Sequence, residues 1–361
     1  MSIWSKKKAW DWYNSNPWIR GANFMCSESA NRVDEWQSFG FEKRFEQTEQ
    51  ELKLLKDTGF NAIRIIVEFI VWHKAHDSFL EKLERYIATA FKYGIKSMIV
   101  FGNDCMPPTK EELDKRITLG EQPFDIGYHG GRKVSQHGTF SNIGVSLLDD
   151  ENLAPLHYEM VREIITKYKN DERVLIWDLF NEPGNSNRKD KSLPHIQKFF
   201  EIAREINPIQ PLTSGVWSNL KNLKKLSKIE MFALKNSDII TYHDYSCFEE
   251  SVIILKNLLS LGRPVVCTEW LARCMDNTVF NMFPLFYLEK VGCFNWGFVA
   301  GKYQTFEPWN SVWSSYEKNP DIKCDLTKWF HDLYRPSFRP YDPKEIELIK
   351  RFCDLADKEK K

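Results

Sequence analysis

The chain has 361 residues, 50 basic and 50 acidic side chains, and a hydrophobic share of 42%. That length and apolar content suffice for one large core, and the balanced charge gives no electrostatic case for nucleic acid or an anionic membrane surface. No window approaches the roughly 18 apolar residues of a membrane span, and the eight cysteines show neither C-x-x-C pairs nor metal-type Cys/His spacing.

The N-terminus, Met1-Ser-Ile-Trp-Ser-Lys-Lys-Lys, is basic but runs into Ala9-Trp-Asp-Trp-Tyr-Asn without an apolar signal core. Cys247, Cys267 and Cys293 lie in apolar stretches, where a reduced cysteine behaves as a small hydrophobe. A cytoplasmic location is the expectation. The 13 tryptophans suit both core filling and stacking on the C–H faces of pyranose rings.

Taken in chain order, residues 19–24 form a weak first strand with Asn23 near its end. Residues 47–58 have helical spacing through Leu52, Leu54 and Leu55, and Gly59 is placed to cap them. Residues 60–68 are the second strand. Its Arg64 stands in an otherwise apolar run, where a buried cation requires a partner. Residues 78–93 read as an amphipathic helix, and residues 95–101 as the third strand with Gly102, Asn103 and Asp104 at its mouth. An insertion rich in Gly, Pro and His then runs from Cys105 to about Asp150. Loops of this length are commonly functional, and this one reads as a lid over the site, with His129 and His137 as candidate substrate contacts.

A helix over 151–169 leads to Val174-Leu175-Ile176, the pattern of a strand buried on both faces. The run closes in Trp177, Asp178, Asn181 and Glu182 before Pro183-Gly184 breaks it. A helix over 192–206 precedes a fifth strand over 210–216, with Trp217 at its end. A helix over 226–236 precedes a sixth strand over 238–245 that carries His243 and Tyr245. A helix over 248–261 precedes a seventh strand, Arg263-Pro-Val-Val-Cys-Thr-Glu269-Trp270. After a helix over 277–290, the eighth strand over 291–298 carries Trp296. The tail holds Lys302, Gln304, Trp309, Trp313 and Trp329-Phe-His331, and a helix over 341–356 closes the chain, its acidic start (Asp342, Glu345, Glu347) favouring that N-terminus.

Strands alternating with helices throughout, without a repeat or a low-complexity linker, predict a single (β/α)8 barrel domain over residues 1–361, with long loops after strands three and eight. Chemistry in such barrels sits at the C-terminal ends of the strands. Glutamates there on two different strands suit retaining glycoside hydrolysis, with one carboxyl as acid/base and the other as nucleophile.

Asn181-Glu182-Pro183 closing one strand, and Thr268-Glu269-Trp270 closing a later one, resemble clan A glycoside hydrolases, the barrel superfamily that includes family 5. Bacterial proteins labelled cellulase-like or xylanase-like have similar Trp-Asp-Leu-x-Asn-Glu-Pro-Gly-Asn and Asn-Trp-Gly-x-Val-Ala-Gly-Lys runs. The resemblance implies Glu182 at the end of the fourth strand as acid/base and Glu269 at the end of the seventh as nucleophile. It further implies that Arg64 supports the nucleophile, that His243 and Tyr245 match a His-x-Tyr whose Tyr hydrogen-bonds it, and that Trp296 stacks on sugar. Asn181 is expected at the sugar 2-hydroxyl. Asn23, Asp104, Trp217, Trp270 and Lys302 are further substrate-binding or supporting candidates. Asp178 either pairs within the site or faces the core.

No metal or organic cofactor is called for. The expected activity is a retaining β-glycosidase, exo-acting on β-linked oligosaccharides, because the two long loops suggest a pocket. The alternatives are an endo-β-mannanase, xylanase or glucanase acting on polymer, and a catalytically silent carbohydrate-binding barrel. An unrelated metal-dependent or Schiff-base barrel lacks its His-x-His or lysine signature here. Neither the sugar nor the oligomeric state has a local signature.

Overall fold

Apolar runs of four to eight residues separated by amphipathic helices leave the chain one efficient way to bury both faces of its strands, a closed parallel sheet inside a ring of helices. The computed structural model describes residues 2–105, 114, 118–122, 124, 129, 146–322 and 324–359. Its strands are β1 (Arg20–Asn23), β2 (Ala62–Ile66), β3 (Lys96–Asn103), β4 (Val174–Asn181), β5 (Leu212–Thr213), β6 (Ile240–His243), β7 (Val265–Trp270) and β8 (Gly292–Asn295). They are hydrogen-bonded in the order β5-β4-β3-β2-β1-β8-β7-β6, every pairing parallel.

The remaining seam, between β5 and β6, is closed by less regular contacts. Val216 bridges Tyr242 in parallel, and the Thr213 and Thr241 hydroxyls meet at 2.8 Å. Pro211 and Gly215 explain why the fifth strand is only two residues long, where the sequence predicted seven. Proline has no N–H for the ladder, and a Cβ at Gly215 would lie 3.1 Å from Nε2 of His243. The irregularity brings a catalytic-side histidine close against the strand.

The foot of the barrel is sealed by a helix the sequence analysis did not anticipate, Lys6–Ser15. Ser5 caps it by accepting from the Lys8 N–H, and Ala9 and Tyr13, one turn apart, are its buried positions. Trp4, Ala9, Tyr13 and Ile19 join Ala62, Met98, Ile176, Val266 and Phe294 in one apolar cluster. The polar tips of this aromatic group are satisfied by backbone carbonyls: Trp10 donates to Gly262, Tyr13 to Lys290 and Trp18 to Val291. These aromatics are clamps at the foot and take no part in the mouth.

Other differences are of length. The helix before β2 begins at Phe41 (Phe41–Thr58), because Phe41 and Phe45 extend the same buried face backwards. Short helices at Phe69–Lys74 and Asn310–Lys318 were not anticipated. Among the described residues no helix is long and apolar enough to cross a membrane.

Candidate active site

Arg64, in the middle of β2, is the hub of the mouth. Its side chain has no solvent exposure, and neither has that of Asp178. A guanidinium buried this deeply must fill its donor set, and it does. Nε and Nη2 both reach Oδ2 of Asp178, at 3.0 and 2.8 Å. Nη1 donates to Oδ1 of Asn23 at 2.7 Å and to Oε1 of Glu269 at 2.8 Å. Nη2 also donates to Oδ1 of Asn181 at 2.6 Å. The question of Asp178 is thereby answered: it pairs with Arg64. Asn23 is locked from its other end by donating to the Thr268 and Asn295 carbonyls, so it braces β1 against β7 and β8.

Both strand ends that carry glutamates turn through left-handed backbone. Glu182 itself has φ 46°, and Leu271, two residues after Glu269, has φ 82°. Non-glycine residues occupy this region at a cost, which the surroundings must hold in place. Asp104 does so for the first turn. It accepts from the Gly184 N–H at 2.8 Å, from Arg188 at 2.8 Å and from Ser192 at 2.7 Å. Asn277 and His331 do so for the second, the one accepting from the Leu271 N–H and the other bonding its carbonyl.

The glutamates meet around one imidazole. Nδ1 of His243 lies 2.7 Å from Oε1 of Glu182 and 3.3 Å from Oε2 of Glu269. Tyr245 donates to Oε2 of Glu269 at 2.9 Å, and Asn185 donates to Oε2 of Glu182. Donor atoms of Glu182, His243 and Glu269 all lie within 4.8 Å of one another. Three such donors could span a divalent cation, but the Arg64 guanidinium on Glu269 opposes one.

Burial raises Glu269 above the ordinary glutamate range, against the opposing pull of His243 and Arg64. Burial presses Glu182 the same way, but the hydrogen bond and charge of His243 outweigh it and hold Glu182 below that range. Burial drives the Tyr245 phenol well up, with the Glu269 charge adding to the effect, which keeps it a hydrogen-bond donor.

The structure gathers Arg64, Asn181, Glu182, His243, Tyr245 and Glu269 into one constellation. Trp296 is half-buried beside it and donates from Nε1 to Nε2 of His129 at 2.6 Å, so one predicted loop histidine does reach the mouth. Burial lowers His129 to about 4, consistent with a neutral acceptor. His137 and most of the 105–150 insertion lie outside the described residues. Trp217 is half-buried and donates to the Pro183 carbonyl at 3.2 Å, beside the Glu182 turn. Lys302 is largely exposed, and its ammonium pairs with Glu28 at 3.0 Å.

Two candidates take positions the sequence did not suggest. Trp270 is 1% exposed and packs on Phe283 and Phe286 of the helix Val279–Leu288. It is a core residue and no part of a sugar platform, because the side chain after Glu269 points to the opposite face of the strand. Asp104 is fully buried and committed to the loop after β4, so it is a brace and no sugar ligand. Sequence reasoning placed Asn103 at the mouth of the third strand but gave it no role, and it accepts from Asn181 at 2.7 Å; Asn185, which donates to Glu182, was missed. Asn185 had a signal, since it ends the quoted Asn-Glu-Pro-Gly-Asn run.

The chain matches the family model Cellulase (glycosyl hydrolase family 5) over residues 26–298. It is similar in fold to the exo-β-1,4-mannosidase Op5Man5 from Opitutaceae bacterium strain TAV5, with TM-score 0.59 and 14% identity over 95% of this chain and 60% of that one. It therefore spans less than two thirds of that mannosidase. It is also similar to a family 5 mannosidase from Rhizomucor miehei, with TM-score 0.57 and 14% identity over 95% and 94% of the two chains. Endoglucanase Cel5A from Thermotoga maritima gives TM-score 0.53 and 17% identity over 83% and 97%. No curated protein matches it in sequence.

Proposed function

This chain belongs to glycosyl hydrolase family 5, and from that premise we propose that it is a retaining β-glycoside hydrolase with Glu182 as its acid/base and Glu269 as its nucleophile. The observation that carries the assignment is the spacing. Oxygens of the two carboxyls lie within 4.8 Å of each other on the ends of β4 and β7. Carboxyls about 5–5.5 Å apart suit double displacement, whereas inversion needs about 6.5–9.5 Å to admit a water.

In the first step Glu269 attacks the anomeric carbon while the leaving oxygen takes a proton from Glu182. Glu182 lies 2.7 Å from Nδ1 of His243, which holds it, against burial, below the ordinary glutamate range in the unliganded mouth. This step therefore requires substrate binding to bring the proton onto Glu182. As Glu269 becomes an ester it loses its charge, and Arg64 remains balanced by Asp178. In the second step Glu182 removes a proton from water, which displaces Glu269 with net retention. Asn181 has one amide hydrogen committed to Asn103, which leaves the other for the sugar 2-hydroxyl.

The substrate we propose is a β-linked oligosaccharide attacked from its non-reducing end, with β-mannosides the first to try. Two walls support this. His129, from the insertion after β3, hydrogen-bonds Trp296 at the end of β8, and Trp309, from the tail, stands edge-on to Tyr245 at 5.0 Å. Both narrow the mouth next to the reacting carboxyls, as a pocket requires and an open cleft does not. Among the similar structures are two mannosidases.

The test is a panel of aryl β-glycosides and short β-linked oligosaccharides, with wild type beside Glu182→Ala and Glu269→Ala. Release of single sugars by the wild type alone is the expected result. Internal cleavage of long oligosaccharides without monosaccharide release would replace the exo reading with an endo one.

A further inference from the structure

Glu182 stands on a turn that the chain adopts at a cost. Glu182, Ser186, Asn187 and Lys189 all have φ between 46° and 63°. Left-handed backbone in residues with side chains persists only where the surroundings fix it. Within the turn, the Asn185 N–H donates to the Glu182 carbonyl at 3.1 Å, and the Arg188 N–H to the Asn185 carbonyl at 3.0 Å. The Asn185 side chain donates to Oε2 of Glu182, and its own Oδ1 accepts from the Ser186 N–H. The carboxyl of Glu182 is thus placed by the turn and by an amide that the turn itself orients.

The far end of that turn is clamped by Arg188, whose side chain has no solvent exposure. Its Nε donates to Oδ1 of Asp104 at 2.8 Å. Nη1 and Nη2 fork onto the two carboxylate oxygens of Asp149, at 3.0 and 2.8 Å, and Nε and Nη2 also reach Oγ of Ser192 at 3.2 and 3.1 Å. Asp104 directly follows β3, and Asp149 closes a single helical turn, Leu147–Asp149. One guanidinium therefore joins both ends of the long connection after β3 to the turn that carries Glu182. Burial opposes it, but the Arg188 and Lys191 bonds lower Asp149 to about 2, which keeps the clamp ionised at neutral pH.

We propose that Arg188 is a positioning residue for the acid/base: held between Asp104 and Asp149, it fixes the turn from which Glu182 and Asn185 project. This rests on Glu182 being the acid/base. Glu269 is held separately, by Arg64 and Tyr245. Loosening the clamp therefore misplaces proton transfer and leaves nucleophilic attack in place. Two carboxylates are satisfied at once by a planar fork, which lysine, a point charge, does not supply.

The test compares wild type, Arg188→Lys and Asp149→Asn on a disaccharide and on the 2,4-dinitrophenyl glycoside of the same sugar, whose departure needs no acid. A misplacement near 1 Å predicts a drop in kcat/KM of about 10- to 100-fold on the disaccharide for Arg188→Lys. Asp149→Asn keeps the shape and loses the charge, so it should show a smaller drop of the same kind; it covers the case in which Arg188→Lys does not fold. On the dinitrophenyl glycoside kcat/KM should stay near wild type, while kcat falls and is restored by azide, which needs no general base. Equal losses on both substrates, or no loss on either, would overturn the proposal, whatever the change in thermal midpoint. Glu182→Ala is the control. If it lacks a large leaving-group dependence restored by azide, the acid/base assignment itself fails. If it shows one and the Arg188 and Asp149 variants do not, only the positioning role falls.

Discussion

Removing the Arg64 guanidinium should have two separable effects. Arg64 makes five hydrogen bonds to Asp178, Asn23, Glu269 and Asn181, and its side chain and that of Asp178 are wholly buried. Arg64→Met keeps the volume but strands two carboxylates. Breaking a buried pair from one side costs about 3–5 kcal/mol. Part of this is relieved if Asp178 takes up a proton, which burial already favours. In denaturant titrations, Arg64→Met should lose stability in that range. Arg64→Met/Asp178→Leu should recover much of it, because an apolar pair needs no desolvated charge.

Activity should behave differently. Arg64 lowers Glu269 against the raising effect of burial, so without it Glu269 ionises at higher pH. The acid limb of kcat/KM on an aryl glycoside should move upward in both variants, and the double variant should stay impaired at neutral pH. Arg64→Lys, which keeps the charge but cannot fork to four partners, covers the case in which Arg64→Met does not fold. A stability loss below about 1 kcal/mol together with an unmoved acid limb would refute the reasoning.

Glu51 predicts a stability slope with pH. Burial raises it to about 8 from 4.5, so the folded state holds a proton that the unfolded chain releases. Its contribution is complete below about 4.5, declines as pH rises and is gone above about 8, a change on the order of several kcal/mol; thermal midpoints across that window should flatten in Glu51→Gln. Gly297→Ala should lower the midpoint, since Gly297 has φ 73° and a Cβ would meet Asp332 and Thr305. Strain of this kind costs about 1–3 kcal/mol, and KM should rise as the neighbouring Trp296 shifts. Trp270→Phe should cost about 1–3 kcal/mol in denaturant with KM unchanged; a raised KM at full stability would return Trp270 to the sugar site.

The barrel was legible because its central strands are β-branched apolar runs with polar ends. Val174-Leu175-Ile176 and Val265-Val266-Cys267 can be read as strands from their residues alone. The β5–β6 seam was less so: two ladder residues and a glycine that admits His243 carry no period. The helix Lys6–Ser15 had a signal, a capping serine with Ala9 and Tyr13 one turn apart, which the sequence analysis did not use. Of the site, the glutamates stood out as carboxylates ending apolar strands and Arg64 as a cation within one, whereas His243 and Tyr245 stood out through the resemblance to clan A hydrolases. Trp270 misled because strand-end tryptophans on either face look alike in sequence. Asn103 stood at the mouth of the third strand, but its role was not legible because it depends on β3 lying beside β4, with Asn103 opposite Asn181.

The most direct measurement is to trap the intermediate. The protein would be incubated with 2-deoxy-2-fluoro-β-mannosyl and β-glucosyl fluorides, then digested and mapped by mass spectrometry. The assignment predicts time-dependent inactivation and one fluoroglycosyl group on the peptide that contains Glu269. A label on Glu182 or on any other residue, in an enzyme that turns over the parent glycoside, would contradict it.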